Sequence, residues 1–571
     1  MANTERATRK GRDKLAERVF GKFEDFYSKS RQRLGLYQEA ERWMAGDDTL
    51  VWSSDRRDWK PLVFPNLLEA NVRQKVSLLT DNKPKVYVYT VPEIDMLGDP
   101  DTDPAVAQQI ALIKNHSQNM NMAFDHLWRL NKMQSELETI VMHGSLTGLM
   151  AGRCYWDREA RDIKTSAIHP GCVFFDPAVQ SLDVTDGSME WLIIAYRMPE
   201  QWFRYYFDVK RFSDAKPEGY QDFNSAENVS TYPIYIECYR PEGSLASDEM
   251  LGEDDKSKSG VRVTSLCGNE FLDDRPLDGV FPIFMHPYEL DPASPFGQGD
   301  VIRLSTVQKD FCSKVAQVSL NIALSANRQW IMNPAKLGVR LDELLQHIGE
   351  PGYVYVTKKL SEDVKNAIVN LETPMFNTEL FQYLYFLPQL MEQISGVTKL
   401  MQGIAAKSER QSKYEIGKQY EAGTIRIRNV AHHIEMMLVD MGRIWGKMIN
   451  RYYTDPRRIY RINEETDKLQ TSLFKMPVDN EGKPYDFDYV IVVQPDTTLP
   501  VDLQSQAERD LMLLDKGMID PRTLLESLHH PKVDKIIKAL EEMQQKQMQA
   551  KQGAQGAPVP PQAPTTPIAQ F

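Results

Sequence analysis

Residues 281–334 read FPIFMHPYELDPASPFGQGDVIRLSTVQKDFCSKVAQVSLNIALSANRQWIMNP. Their pattern decides the architecture. Over residues 300–328 the apolar side chains Leu304, Val307, Phe311, Val315, Val318 and Ile322 step by 3, 4, 4, 3 and 4. Those steps place them in one narrow seam of a helix that packs lengthwise on another helix. The preceding Phe296-Gly297-Gln298-Gly299-Asp300 contains a GxG but no third glycine and no parallel-strand unit before it. It reads as a turn leading into the helix with Asp300 as N-cap, and a dinucleotide site does not fit.

The partner helix follows at Leu380, Leu384, Leu387, Met391 and Ile394, stepping 4, 3, 4 and 3. Pro388 lies inside it, cannot bond the Leu384 carbonyl, and predicts a kink there. Residues 331–374, with the strand-like GYVYVT, form a small α/β excursion between the two helices. After Gly396 comes VTKLMQGIAAKSERQ and then a long helix from about Ser412 to Tyr453, opened by a capping-box pattern at Ser412–Glu415. Gly417, Gly423, Gly442 and Gly446 lie inside it, each costing about 1 kcal/mol against alanine. The helix therefore bends or packs very closely at those positions.

On the N-terminal side, residues 12–45 predict an amphipathic helix with Leu15, Val19, Phe23 and Phe26 on one face. Pro65 opens a second, with Leu68, Val72, Val76 and Leu79 together. Lys85–Thr90 alternates as a strand, 91–103 is a loop, and 104–149 is helical in two pieces. Residues 150–290 change character. AGRCYWD, DIKTSAIH, CVFFD, MEWLIIAYRM, YPIYIECYR and GVRVTSLC are short β-type runs, and 199–208 is a short helix. Residues 241–260 make an acidic hairpin loop. Strands return at RIYRIN and DYVIVVQP, two or three helices fill 503–550, and 551–571 is a Pro/Gln/Ala-rich disordered tail. The fold class is α+β, mainly helical, with antiparallel sheet.

The chain has 571 residues, net charge −12, with 42% hydrophobic and 26% charged residues. That length predicts two to four structural units. The acidic balance argues against broad, affinity-driven DNA binding, which phosphate neutralisation would make basic. The five cysteines, Cys154, Cys172, Cys238, Cys267 and Cys312, are scattered and never spaced as CxxC. They read as reduced thiols. No apolar run approaches the length of a membrane span, and the charged N-terminus lacks the apolar core of a signal peptide. The expected location is the cytoplasm, or a particle assembled there.

Catalytic patterns are missing from the sequence. There is no GxxxxGK[ST] loop, no GxSxG, no HExxH and no Cys/His cluster. His432-His433 and His529-His530 are adjacent pairs, which point about 100° apart on a helix and cannot share an ion. His143 and His169 find no nucleophile in a suitable context, so the ten histidines read as ordinary, partly buried residues. Trp202–Tyr206 and Arg451–Tyr453 interleave aromatic and basic side chains. Base stacking is one use for them, core packing with snorkelling cations the other. Lys399, Lys407, Arg410 and Lys413 concentrate positive charge in a Gly/Ala/Ser-containing segment of an acidic chain.

Several stretches resemble the portal (head-to-tail connector) proteins of tailed double-stranded-DNA bacteriophages. FPNLLEANVRQKVSLLTDNKPKVYV is similar to the helix-then-strand segment near a portal N-terminus. VMHGSLTGLMAGRCYWD (141–157) resembles the family's helix-to-strand element, and IHPGCVFFDP (168–177) a strand ending in DP. Residues 281–334 resemble its turn, long helix and N-x-x-W element. Residues 394–428 resemble the ISGV-type entry to the long helix. The motifs fall in the family's order over about residues 60–460; 91–103 and 241–260 match no element of it.

The resemblance implies a dodecameric (twelve-fold) ring that conducts DNA and carries no cofactor or metal. Its parts would be wing (1–299 and 412–500), stem helices (300–330 and 375–397), clip (331–374), tunnel loop (398–411), crown (501–550) and tail (551–571). Stem packing falls to Leu304, Val307, Phe311, Val315, Val318, Leu384, Leu387 and Met391. Lys399, Lys407, Arg410 and Lys413 would face the DNA. Implied partners are further copies of the chain, double-stranded DNA without sequence specificity, the terminase large subunit, major capsid and scaffolding proteins, and tail adaptor proteins. The implied location is the portal vertex of the virion; the chain size leans to a short-tailed particle. The alternatives are another head–tail connector, which length disfavours, or a phage DNA-processing enzyme, which needs a carboxylate cluster not evident here.

Overall fold

Helix α1 (Ala2–Ala45) opens the chain in a computed structural model. The structure describes residues 2–52, 61–91, 104–176, 189–207, 212–223, 231–241, 261–277, 281–326, 330–332, 340–347, 368–370, 378–397, 413–463, 468–477 and 487–494, with single residues between. The helix starts ten residues before the predicted Arg12 and runs through Gly11, with no Pro to stop it. Leu15, Val19, Phe23, Phe26, Tyr27, Leu34 and Tyr37 form its buried stripe.

Helix α2 (Leu67–Thr80) begins after Asn66, whose side chain accepts from Glu69 N at 3.1 Å. Pro65 thus precedes the cap instead of lying in the first turn. Leu68, Val72, Val76 and Leu79 are buried as the spacing predicts. Strand β1 (Val86–Val91) follows. Helices α3 (Pro104–Leu130) and α4 (Met133–Thr147) meet at Lys132, whose φ of 50° breaks the run into two.

The β-rich stretch holds β2 (Leu149–Asp157), β3 (Asp162–Ala167), β4 (Val173–Phe175), β5 (Leu192–Arg197), the short helix α5 (Glu200–Phe207), β6 (Ile234–Pro241), β7 (Val261–Cys267), β8 (Glu270–Leu277) and β9 (Ile283–Pro287). Strands β4-β5-β6-β7-β8 form one antiparallel sheet, and β3-β2-β9 another. Pro241 pairs with Val261, so 242–260 does connect a hairpin, but that loop lies outside the described residues. The five-stranded sheet buries both faces. Phe174, Ile193, Ile236, Cys238 and Leu266 meet α1, and Val173, Phe175, Ile194, Tyr239 and Val263 face a second core. Double burial explains why β4 and β5 read as continuous apolar runs without alternation.

Helix α6 (Asp300–Ala326) comes next, then strand β10 (Trp330–Met332), helix α7 (Leu341–His347), strand β11 (Ile368–Asn370) and helix α8 (Thr378–Ser395). Strands β10 and β11 pair antiparallel between the two helices. Of GYVYVT only Val354 lies among the described residues. Helix α9 (Lys413–Tyr452) leads to β12 (Arg457–Asn463), β13 (Lys468–Phe474) and β14 (Asp488–Val493). Strand β14 returns to β1, Val86 opposite Val493 and Val91 opposite Asp488.

The largest core gathers α2, α3, α4, α6, α8 and α9 around Val72, Leu127, Leu137, Leu304, Met391, Met437 and Trp445. Two of the long helix's glycines find their reason there. A Cβ on Gly442 would meet Ile491 Cγ2 at 2.8 Å, and one on Gly446 would meet Tyr489 Cδ2 at 2.8 Å. Close packing on β14, the second of the two foreseen uses, accounts for both. Of 503–550, only Met512 and Leu514 are described, both helical; the tail 551–571 lies outside the described residues. Among the described residues no helix is long and apolar enough to cross a membrane.

Candidate functional site

Helices α6 and α8 pack on each other, as the two seams require. Leu304, Val318, Leu387 and Met391 are buried. Val307, Phe311, Val315 and Leu384 are half-buried in one chain, and Ile322 is 54% exposed. The most enclosed line of α6 is Val301, Leu304, Gln308 and Cys312. It lies beside the predicted seam, shifted by about one residue around the helix. Tyr383 OH donates to Asp310 Oδ2 at 2.6 Å and ties the pair together. Pro388 sits inside α8, which remains one element through it.

The root of α6 is built from charges. Lys75 of α2 and Asp300 are each only 2% exposed. Lys75 Nζ lies 2.8 Å from Asp300 Oδ2 and 3.2 Å from Glu289 Oε1. Arg303, one turn into α6, pairs with Glu289 and stands 4.0 Å from Asp300 Oδ1. Tyr288 OH donates to Asp300 Oδ2 at 2.9 Å. Two cations and two carboxylates thus neutralise one another where an unpaired charge would be strongly unfavourable. Asp300 is the first residue of α6, and its carboxylate serves this cluster.

The approach to α6 is equally constrained. Gly148 and Gly297 adopt φ of +88° and +71°, and a Cβ on Gly148 would stand 2.6 Å from Gly297 O. A Cβ on Gly299 would stand 2.6 Å from Ser145 O. Tyr288 N donates to Gly148 O at 2.7 Å and Gln298 N to Glu289 O at 3.0 Å. The GxG is therefore a backbone crossing against the end of α4.

Gln308 completes the attachment. Fully buried, it accepts from Leu68 N at 3.2 Å and donates through Nε2 to Pro65 O at 2.7 Å. It thereby satisfies one of the amides that the first turn of α2 leaves unpaired. Sequence reasoning missed Lys75, Glu289 and Gln308 as a set. One signal was available: Lys75 falls three residues after Val72 and four before Leu79, on the apolar face of α2.

Of the predicted DNA-facing cations, Lys399, Lys407 and Arg410 lie outside the described residues. Lys413 is the first residue of α9, and its side chain is not described either.

The histidines join distant elements. His169 Nδ1 accepts from Gly171 N at 3.0 Å, and its Nε2 lies 3.1 Å from Glu41 Oε1. His143 meets it edge-on at 4.8 Å, and burial with His169 beside it lowers its pKa to about 3. His286 and His433 lie 5.1 Å apart, and burial lowers His433 to about 4. His116 contacts Tyr489 OH at 3.0 Å and is also lowered by burial, to about 4. Phe203 is buried while Tyr205 and Tyr206 are exposed; Tyr453 is buried and Tyr452 stacks on Trp156. Among the described residues no group of three or more His, Cys, Asp or Glu could hold a metal.

A helix pair rooted in a buried charge cluster is a mechanical arrangement, with its polar atoms committed to one another. The model of the phage P22-like portal protein family matches residues 111–570, well over half of the chain. The chain belongs to this family. Portal proteins are structural components of the phage particle, and a head–tail connector role follows for this chain. The motif resemblance covered about 60–460; the portal match starts later, inside α3, and runs on through the C-terminal segment. It leaves Lys75 outside and takes in Glu289, Asp300, Arg303 and Gln308. No curated protein matches the chain.

Proposed function

We propose that the chain assembles into a homo-oligomeric, dodecameric ring at one capsid vertex and forms the channel for DNA packaging and ejection. The family match over residues 111–570 carries this reading. In it, α6 and α8 are the stem helices, the β10–α7–β11 excursion belongs to the clip, and 398–411 is the tunnel loop. The α+β domain and α9 with its strands make the wing, and 501–550 the crown. The clip side receives the terminase large subunit and later the tail adaptor proteins; the ring's periphery meets the major capsid and scaffolding proteins.

Physical observations support the reading. Tyr385 and Phe386 on α8 stand 75% and 48% exposed in one chain, as surface awaiting neighbours would. A net charge of −12 per copy makes a strongly anionic assembly. Such a wall repels phosphates and lets the duplex slide. Lys399, Lys407, Arg410 and Lys413 would touch the backbone transiently without reading bases.

Negative-stain microscopy of the purified full chain tests the proposal. Rings with an axial hole are expected. Compact particles without a hole would reject it, as would ATP turnover or DNA cleavage by the pure protein that a single substitution abolishes.

A further inference from the structure

We infer that the Lys75–Asp300 pair is a positioning device that sets the direction in which the α6–α8 helix pair leaves the body of the protein. The inference rests on the stem reading of that pair for its purpose, but on the geometry of one chain for its content. Helix α6 is held on several sides at its N-terminal end. The Gly148–Gly297 crossing fixes where the backbone arrives. Gln308 binds the start of α2. Lys75 and Arg303 each pair with both Asp300 and Glu289. Toward its C-terminal end the burial falls away, and Ile322 and Ala323 are exposed. A helix fixed at one end and open at the other is a lever, so small changes of angle at Asp300 become large displacements near Ala326.

A buried ion pair is a poor way to add stability, because desolvation offsets most of its attraction. It is a good way to choose one geometry. An apolar contact tolerates sliding and rotation, whereas Lys75 Nζ must meet two carboxylates at once, at 2.8 Å and 3.2 Å, which narrows the placements of α2 against α6. The cluster also joins α2, outside the portal match, to residues within it.

The test is the double substitution Lys75→Met with Asp300→Asn. It removes both charges together, keeps an acceptor for Tyr288, and leaves the Glu289–Arg303 pair in place. Spin labels go on cysteines introduced at Ala111 of α3 and Ala323 of α6, both exposed; the five native cysteines are buried. Labelled full-length chain is diluted in unlabelled chain so that each assembly carries one spin pair. The parent is expected to give one narrow distance distribution. The double variant is expected to give a broad or shifted one, with a melting temperature within a few degrees of the parent. Lys75→Arg, which keeps the charge, should restore the narrow distribution.

A narrow, unshifted distribution in the double variant would overturn the inference. So would a variant that melts far below the parent, since the pair would then be a plain stabiliser. The readout needs no ring. Absence of rings in the parent would remove the stem reading and leave this result standing on its own.

Discussion

Gly442 of α9 lies so close to β14 that a Cβ built on it would stand 2.8 Å from Ile491 Cγ2. Gly446 has the same relation to Tyr489. The helix spends two low-propensity residues to bring its backbone onto a strand.

Alanine at these sites therefore has an effect opposite in sign to alanine elsewhere. In α1, Gly21 is exposed with nothing near its missing Cβ, so Gly21→Ala should stabilise by about 0.5–1 kcal/mol. Gly442→Ala and Gly446→Ala gain the same propensity but overpack the contact. They should lose about 1–2 kcal/mol net. Melting temperatures of the three variants decide it: two should fall and one should rise.

Stability should weaken on acidification. His116 has its folded pKa lowered by burial to about 4, so the unfolded chain takes up the proton first. Its contribution is complete above about pH 6.5 and is lost as pH falls from there toward 4, by about 2 kcal/mol at pH 5. His143, at about 3, acts in the same direction. The fall in melting temperature between pH 7 and pH 5 should be smaller in His116→Gln than in the parent. Equal slopes would show that His116 is solvated.

All five cysteines are buried and free, and burial raises their pKa values, those of Cys154 and Cys238 to about 12. A neutral, enclosed thiol is a weak nucleophile. Alkylation of the folded protein should proceed at the rate of unfolding, with five equivalents taken up only in denaturant. Rapid labelling of one site under native conditions would contradict the burial.

Leu304 and Phe311 should separate folding from assembly. Leu304 is buried within one chain, and Leu304→Ala should lower the chain's own stability by about 2–5 kcal/mol. Phe311 and Val307 are half-buried in one chain, so their truncation should cost the chain less. If the helix pair lines a ring, Phe311→Ala should reduce ring yield more than melting temperature. A large thermal effect with normal rings would place Phe311 inside the single-chain core.

Neutralising Lys407, Arg410 and Lys413 together to Gln should leave rings and procapsids intact. It should change how much genome is packaged or retained, with a defect that depends on ionic strength, because backbone contacts are salt-screened. The assay is DNA content per particle at two salt concentrations. Normal content at both would leave a plain solvated segment, and failure to form rings would assign these cations to the neighbouring subunit.

Local pattern carried much of the architecture. The apolar faces of α1 and α2, the break within 104–149 and the helix pair with its excursion follow from periodicity. Strand β8 is not legible in the sequence because EFLDDRPL looks like a polar loop. Its Asp274 is in fact taken up by Arg262 at 2.7 Å and by the buried Arg240 at 3.4 Å, pairings made only across the sheet. Strand β13 lacks the apolar run that marked its neighbour β12. The charge cluster was hidden for the same reason. Lys75, Glu289, Asp300 and Arg303 are ordinary surface residue types until the fold brings α2, the turn after β9 and α6 to one point. Asp300 reads locally as a cap, since a cap is a local device and an ion pair 225 residues apart is not.

The pairing of β1 with β14 has a consequence for the making of the protein. Val86 waits for Val493, 407 residues later in synthesis (493 − 86). Until the ribosome has delivered β14, β1 has only α3 beside it, through the Asn121 bonds to Val88, and the strand edge that β14 takes stays unpaired. A nascent chain must therefore carry an unpaired strand edge for most of its translation, where β-hairpins would have closed within a few dozen residues. Chains released early should be prey for proteases and aggregation, which keeps incomplete copies from competing with finished ones.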